Sequence, residues 1–241
     1  MVKKCTSIII AVCFFVPFLI FGQNQDSKRE IYTLFDNTVG IDNTGIYNGI
    51  EYREKFRALN NNYAYLDSPN FMLSTIEYDG QVYYNINLKY NIYQQNVIVK
   101  LKDKNASETV VKLYNNKIRS FTINNRKFIN IHSNIDGVSG FYEEAFHDAD
   151  YSLLIKHQKF KKDLYQNELM YVEFVTAKKE YLIFSNNIYS ALDSKKDISK
   201  VFPEFKQKTN QFYRDNKSLR KMNYDQFLIT LLQEIKLAKL K

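Results

Sequence analysis

From Phe71 to Leu192 the chain breaks into short runs rich in Val, Ile, Tyr and Phe, spaced about ten residues apart and separated by brief polar turns. That spacing constrains the fold more than any other feature, because it suits strands and leaves no room for long helices. In "QVYYNINLKY", Val82, Tyr84, Ile86, Leu88 and Tyr90 alternate with Gln81, Tyr83, Asn85, Asn87 and Lys89. A period of two predicts a strand with the first set on an apolar face and the second on a wet face. Asp79-Gly80 just before it is a hairpin-turn pair. Further strands are predicted at "NVIVKLK", "ETVVKLY", "IRSFTI", "KFINIH", "GFYEEAF", "YSLLIKHQKF", "LMYVEFVT" and "EYLIFS". The turns "NNK", "NNR" and "AKK" are too short for crossovers, so neighbouring strands run antiparallel. The expectation is a mainly β protein in which a meander over 71–192 forms an open or partly closed barrel-like sheet.

Both ends depart from this pattern. Ile31, Leu34 and Phe35 in "REIYTLF" have helical spacing and predict a short helix, followed by an irregular segment over the rest of 23–70. Beyond Leu192 the period is again helical, and Pro203 suits the first position of a helix holding Phe205, Phe212 and Tyr213. The last helix is clearest: Asn223 is a cap, Gln226 completes a capping-box-like pattern, and Phe227, Leu228, Leu231, Leu232 and Ile235 form an apolar stripe. The segment 193–241 is expected to pack on the β domain as a helical C-terminal part.

The N-terminus reads as an export signal. Lys3 and Lys4 precede fourteen apolar residues from Ile8 to Phe21, too few to span a bilayer and interrupted by Pro17. Cleavage near Gly22 yields a periplasmic or secreted chain with no transmembrane segment. Cys5 and Cys13 leave with the signal, so the mature chain has no disulfide, thiolate nucleophile or cysteine-based metal site. Charge is unevenly distributed: 23–155 carries net −2, and 156–241 carries net +8. A basic C-terminal third could touch an anionic surface, whereas no motif for specific nucleic-acid recognition accompanies it.

Few residues suggest chemistry. "HDADYSLLIKH" holds His147, Asp148, Asp150 and His157, but on a hairpin the two histidines stand roughly 20 Å apart, too far for one ion. His147, Asp148 and Asp150 remain as a weak metal candidate, with turn formation the plainer role of the aspartates. "GVSG" fails the spacing of a nucleophile elbow. Glu143 and Glu144 are adjacent, so a strand points them to opposite faces. No cofactor motif occurs, and none is expected to be bound. Tyr63, Tyr65 and Tyr84 with Ile86 and Leu88 are the candidate ligand-binding residues, for an apolar ligand or envelope component held on a curved sheet.

"GIYNGIEY", "IEYDGQVYYNINLKYNIYQQNVIVKL", "VKLYNNKIRSFTINNRKFINI" and "GFYEEAF…YSLLIKHQKFKK" resemble a group of uncharacterised secreted β-rich proteins of Bacteroidota. The resemblance spans most of the mature chain and rests on aromatic and turn spacing. It implies export and a β-rich fold, and that group has no established activity. The functional expectation is a non-catalytic binding or envelope-associated protein. Two alternatives stand beside it: a hydrolase assembled in three dimensions from His132, Ser139, Glu143 and His147, and a structural module binding another protein through a sheet edge or the Phe227 to Ile235 stripe.

Overall fold

A computed structural model describes residues 23–56, 58, 61–133, 137–166 and 169–240. The predicted signal segment, its two cysteines and the cleavage position at Gly22 lie outside the described residues. After the helix α1 (Gln23–Val39) and two short 3₁₀ turns, the chain forms β1 (Ile50–Glu51), β2 (Met72–Tyr78), β3 (Gln81–Asn91), β4 (Asn96–Lys102), β5 (Glu108–Lys112), β6 (Ile118–Ile123) and β7 (Arg126–His132). It continues through β8 (Ser139–His147), β9 (Tyr151–Lys156), β10 (Lys159–Gln166), β11 (Leu169–Thr176), β12 (Glu180–Ser185) and β13 (Ile188–Ala191). The helices α2 (Lys195–Val201), α3 (Lys206–Asp215), α4 (Lys217–Met222) and α5 (Tyr224–Lys239) close the chain. The fold is mainly β with a helical C-terminus, as the periodicity predicts.

Eleven strands form one open antiparallel sheet in the order β1-β5-β4-β3-β2-β6-β7-β8-β9-β12-β13, while β10 and β11 pair only with each other. Three hairpins use two-residue turns whose central residues both have positive φ: Asp79-Gly80 at 52° and 80°, Asn124-Asn125 at 50° and 57°, and Asn186-Asn187 at 51° and 61°. Asn, Asp and Gly tolerate that region, and its twist matches the flanking strands.

The first half of the sheet curls onto itself. Tyr90 on β3 lies 5.2, 5.5 and 5.7 Å, ring to ring, from Phe121 on β6, Phe128 on β7 and Phe141 on β8. In sheet order β3 and β8 are four strands apart, which is roughly 19 Å across a flat sheet. Contact between their side chains therefore requires strong curvature. Ile76, Leu88, Val97, Val99, Leu101 and Val111 pack with these rings in the first core.

One prediction along β3 reverses midway. Tyr83 was expected on the wet face and is buried in the core, whereas Tyr84, expected inside, is half-exposed. The pairing of β3 with β2 shifts between Ser74 and Ile76, and Asn85 takes φ 56°. This bulge inserts one residue, and with a side-chain period of two one residue is enough to exchange the faces. It also splays the sheet: β3 pairs with β2 from Gln81, but with β4 only from Asn87 onward.

The second half keeps its sheet open and covers it with helices. Tyr151, Leu153, Ile155 and Ile183 face the stripe Phe227, Leu228, Leu231, Leu232 and Ile235, all buried, with Ile198 and Phe202 of the α2 end between them. Asn223 caps α5, its Oδ1 accepting from the Gln226 backbone N–H at 3.0 Å. The Gln226 side chain turns instead to Thr230 Oγ1, so the reciprocal half of the box is not formed. Ser194 and Asp197 do form a complete box at the start of α2. The predicted strand "YSLLIKHQKF" is divided at His157, where the chain leaves the main sheet. From there β10 and β11 form a ribbon held by Val172 and Phe174 against Ala64, Phe56 and Tyr93. No helix among the described residues is long and apolar enough to cross a membrane.

Candidate functional site

The "HDAD" turn docks the last helix. β8 ends at His147 and β9 begins at Tyr151. Asp148 Oδ1 lies 2.7 Å from Lys236 Nζ, and Asp150 Oδ2 lies 3.2 Å from Lys239 Nζ. The Lys236 ammonium holds the Asp148 carboxyl below its usual range. His147 turns elsewhere, its Nδ1 lying 2.8 Å from Ser152 Oγ and 3.2 Å from Glu144 Oε1. Two lysines already neutralise the aspartates, and no cluster of three metal-ligating side chains occurs among the described residues.

The four residues of the hydrolase alternative fall in three places. His132 and Ser139 are paired across β7 and β8, beside an open cleft of about 450 Å3 that is lined by amides and contains no carboxylate among the described residues. Glu143 turns inward and accepts a 2.6 Å hydrogen bond from buried His157 Nε2. Arg126 Nη1 stands 3.6 Å from the same carboxylate oxygen and Arg126 Nη2 lies 2.7 Å from Asp67 Oδ2. This chain of charges closes the seam between the first core and the helix-covered half. His147 lies at the far end of β8, roughly 26 Å from Ser139 along eight residues of extended chain. Both Ser152 Oγ and Glu144 approach the same imidazole nitrogen of His147, so the ring cannot pass a proton from one to the other.

The candidate ligand-binding residues also separate. Leu88 is wholly buried in the first core, and Tyr65 is buried with its ring 3.9 Å from the Lys89 ammonium. Tyr52 and Phe71 complete the aromatic surround of Lys89, and the Tyr65 hydroxyl donates to Glu54. Burial lowers the Lys89 pKa, partly offset by Glu54. The ring faces that a ligand would need are thus already occupied by the protein's own cation. The Tyr63 hydroxyl donates to Asn61, and its backbone carbonyl accepts from Lys159.

Tyr84 and Ile86 do meet at a cleft. Where the bulge at Asn85 parts β3 from β4, a cavity of about 500 Å3 opens against α1. Ile86, Leu101 and Ile41 give it apolar walls, and Lys100, Lys102 and Lys104 line it together with the carboxylates Asp36 and Asp103. Tyr32 of α1 lies 6.4 Å from the Tyr84 ring, and Arg29 Nη2 donates to Asn85 Oδ1 at 2.9 Å, fixing the helix over the gap. Ile31, Leu34 and Phe35 point away from the sheet and are 65%, 67% and 52% exposed. Gly40, at φ 90°, lets the Lys104 chain cross it, since a Cβ there would stand 2.3 Å from Lys104 Cε.

At one end of the cavity Asp36 accepts from Gln81 Nε2 at 3.0 Å, and burial raises its pKa. Lys100 and Lys102 both reach Glu108, at 3.4 and 3.2 Å. The three lysines are not singled out by the sequence, although the spacing of two sets Lys100 and Lys102 on one side of β4, while Lys104 lies in the turn that follows it. No family model matches the chain, and no curated protein or solved structure matches it either.

Proposed function

We propose that this is an exported, non-catalytic binding protein of a bacterial envelope, and that the splayed cleft between β3, β4 and α1 is its binding site. The observation that carries the reading is the cleft's composition: a cavity of about 500 Å3 combines the apolar Ile41, Ile86 and Leu101 and the Tyr84 ring with three lysines against two carboxylates, Asp36 and Asp103. Such a site suits a ligand with an apolar body and an anionic group, an envelope-derived amphiphile being the simplest case. Its volume lies in the range of small-molecule sites, roughly 300–1,000 Å3. Export is supported by the charged, apolar and small-residue order of the first 22 residues.

The test is the mass of the protein purified gently from its native envelope, recorded under native and then denaturing conditions. An added mass that disappears on denaturation, and is absent from Tyr84→Ala and Lys102→Glu, is the expected result. A bare protein mass, or an adduct retained equally by both variants, counts against this cleft. Both side chains lie outside the first core, so the variants are expected to fold.

A further inference from the structure

We infer that the helical C-terminal part carries a second, separate binding site, a basic cleft that takes a phosphorylated small molecule or headgroup. The start of α2, the end of α3 and the short α4 bring Lys195, Arg214, Lys217 and Arg220 to one cleft of about 440 Å3. Asp193 is the one carboxylate in its lining among the described residues.

Several lysines elsewhere on the helical cap have partners. Lys200 pairs with Asp197 at 2.9 Å, Lys208 with Glu234 at 3.1 Å, and Lys236 and Lys239 with the aspartates of the β8–β9 turn. The four cations of the cleft make no ion pair with a carboxylate among the described residues.

Tyr213 supplies an independent observation. It is 8% exposed and lines the cleft, and its hydroxyl has no hydrogen-bond partner of acceptable geometry among the described residues. An unmade bond at a buried hydroxyl is costly, and a bound acceptor would relieve it. Burial, together with Tyr224 beside it, pushes the Tyr213 pKa upward, so the hydroxyl remains a neutral donor. Two cations share its ring, Arg220 Cζ at 5.3 Å and Lys195 Nζ at 5.9 Å from the centroid. A multiply charged anion answers such a concentration of positive charge more fully than a single carboxylate does.

Phosphate is the best chemical match. Guanidinium groups bind its oxygens in bidentate fashion, and a phosphate monoester brings a charge of about −1.5 to −2 against the surplus positive charge here. The cleft is also larger than one phosphate needs, leaving room for a sugar, a second phosphate or a lipid headgroup.

Titration of the full chain with inorganic pyrophosphate at low ionic strength, followed calorimetrically, is the deciding experiment. Saturable one-site binding is expected, weakened about tenfold or more by Arg214→Glu and by Arg220→Glu. Lys178→Glu makes the same change in net charge on an exposed lysine outside the cleft and is expected to leave affinity within about twofold. Arg214 is exposed, so its variant reads the site even if replacing half-buried Arg220 disturbs folding. Cosedimentation with phosphatidylglycerol vesicles, against phosphatidylcholine vesicles, separates the two sources. Retention on the anionic vesicles, lost in Arg214→Glu, assigns a headgroup; pyrophosphate binding without retention assigns a soluble phosphorylated ligand. Failure of pyrophosphate to bind saturably, or an equal loss in Lys178→Glu, overturns the inference, and neither result bears on the β3–β4 cleft.

Discussion

The two halves of the sheet bury their apolar faces in different ways. From β1 to the start of β8 the sheet curls until Tyr90 touches Phe121, Phe128 and Phe141, so strands supply both sides of the core. From the end of β8 to β13 it remains open, and α2 to α5 lie over Tyr151, Leu153, Ile155 and Ile183. Curling joins every layer through backbone ladders. A helical cover is held by side chains alone: the buried stripe, Lys179 and Tyr181 on Asp225, and the two lysines on the β8–β9 turn. The halves are therefore expected to open separately, and each leaves its own kind of cleft, one at a splayed bulge and one between helix ends.

The largest effect is expected from Tyr90→Ala. One ring meets residues of three other strands, so its loss should cost about 3–5 kcal/mol in urea denaturation and loosen the whole curled half. A cost under about 1 kcal/mol would show that curvature does not depend on this contact. Leu231→Ala, in the middle of the α5 stripe, should cost about 2–5 kcal/mol. Its effect is expected to be local in hydrogen exchange, with protection falling in α3 to α5 while amides of β2 to β7 remain protected. Uniform loss of protection would mean that the halves unfold as one unit and would remove the distinction.

Asn85 marks where the sequence pattern stops predicting the fold. Alternation in "QVYYNINLKY" is regular, and nothing in it signals a residue at φ 56°. Asn is permitted there as in many other places, and only the register against β2 reveals the bulge. Asn85→Val should cost about 1–3 kcal/mol, because a β-branched side chain is strained in that region, and should narrow the cleft by restoring pairing toward β4. Asn85→Gly is expected to be nearly neutral.

The same contrast governs what else could be foreseen. Strand positions, the Asp79-Gly80 turn and the α5 stripe follow from local periodicity and turn chemistry, which act within a few residues. The break at His157 did not, because "YSLLIKHQKF" has the composition of one strand and its interruption depends on Glu143, fourteen positions earlier. The basic cleft was legible only as a sign. Net +8 over 156–241 is in the composition, but the meeting of Lys195 with Arg214 and Arg220 depends on how α2, α3 and α4 pack.

The smallest predicted effect is also the most selective between the halves. Lysines hold two surface carboxylates below their ordinary values, Glu108 through Lys102 and Lys100, and Asp148 through Lys236. A depressed carboxylate pKa contributes stability that is present above the unfolded value, near 4.5 for Glu and 3.8 for Asp, and is lost as pH falls through the lower folded value. The sign is the same for both, but the structural consequence differs. Glu108 sits on β5, whose backbone is already paired with β4, so protonating it removes a surface contact and leaves the ladder intact. Asp148 holds a separate helix onto the sheet. Below about pH 4, hydrogen exchange in the last turns of α5 is therefore expected to accelerate in the wild-type chain. Asp148→Asn should show that faster exchange already at neutral pH and respond less to acid, whereas Glu108→Gln should leave α5 unchanged. An equal response of α5 to both substitutions would mean that the helical cover is coupled to the curled half across the Glu143–His157 seam, and that the two means of burial do not act independently.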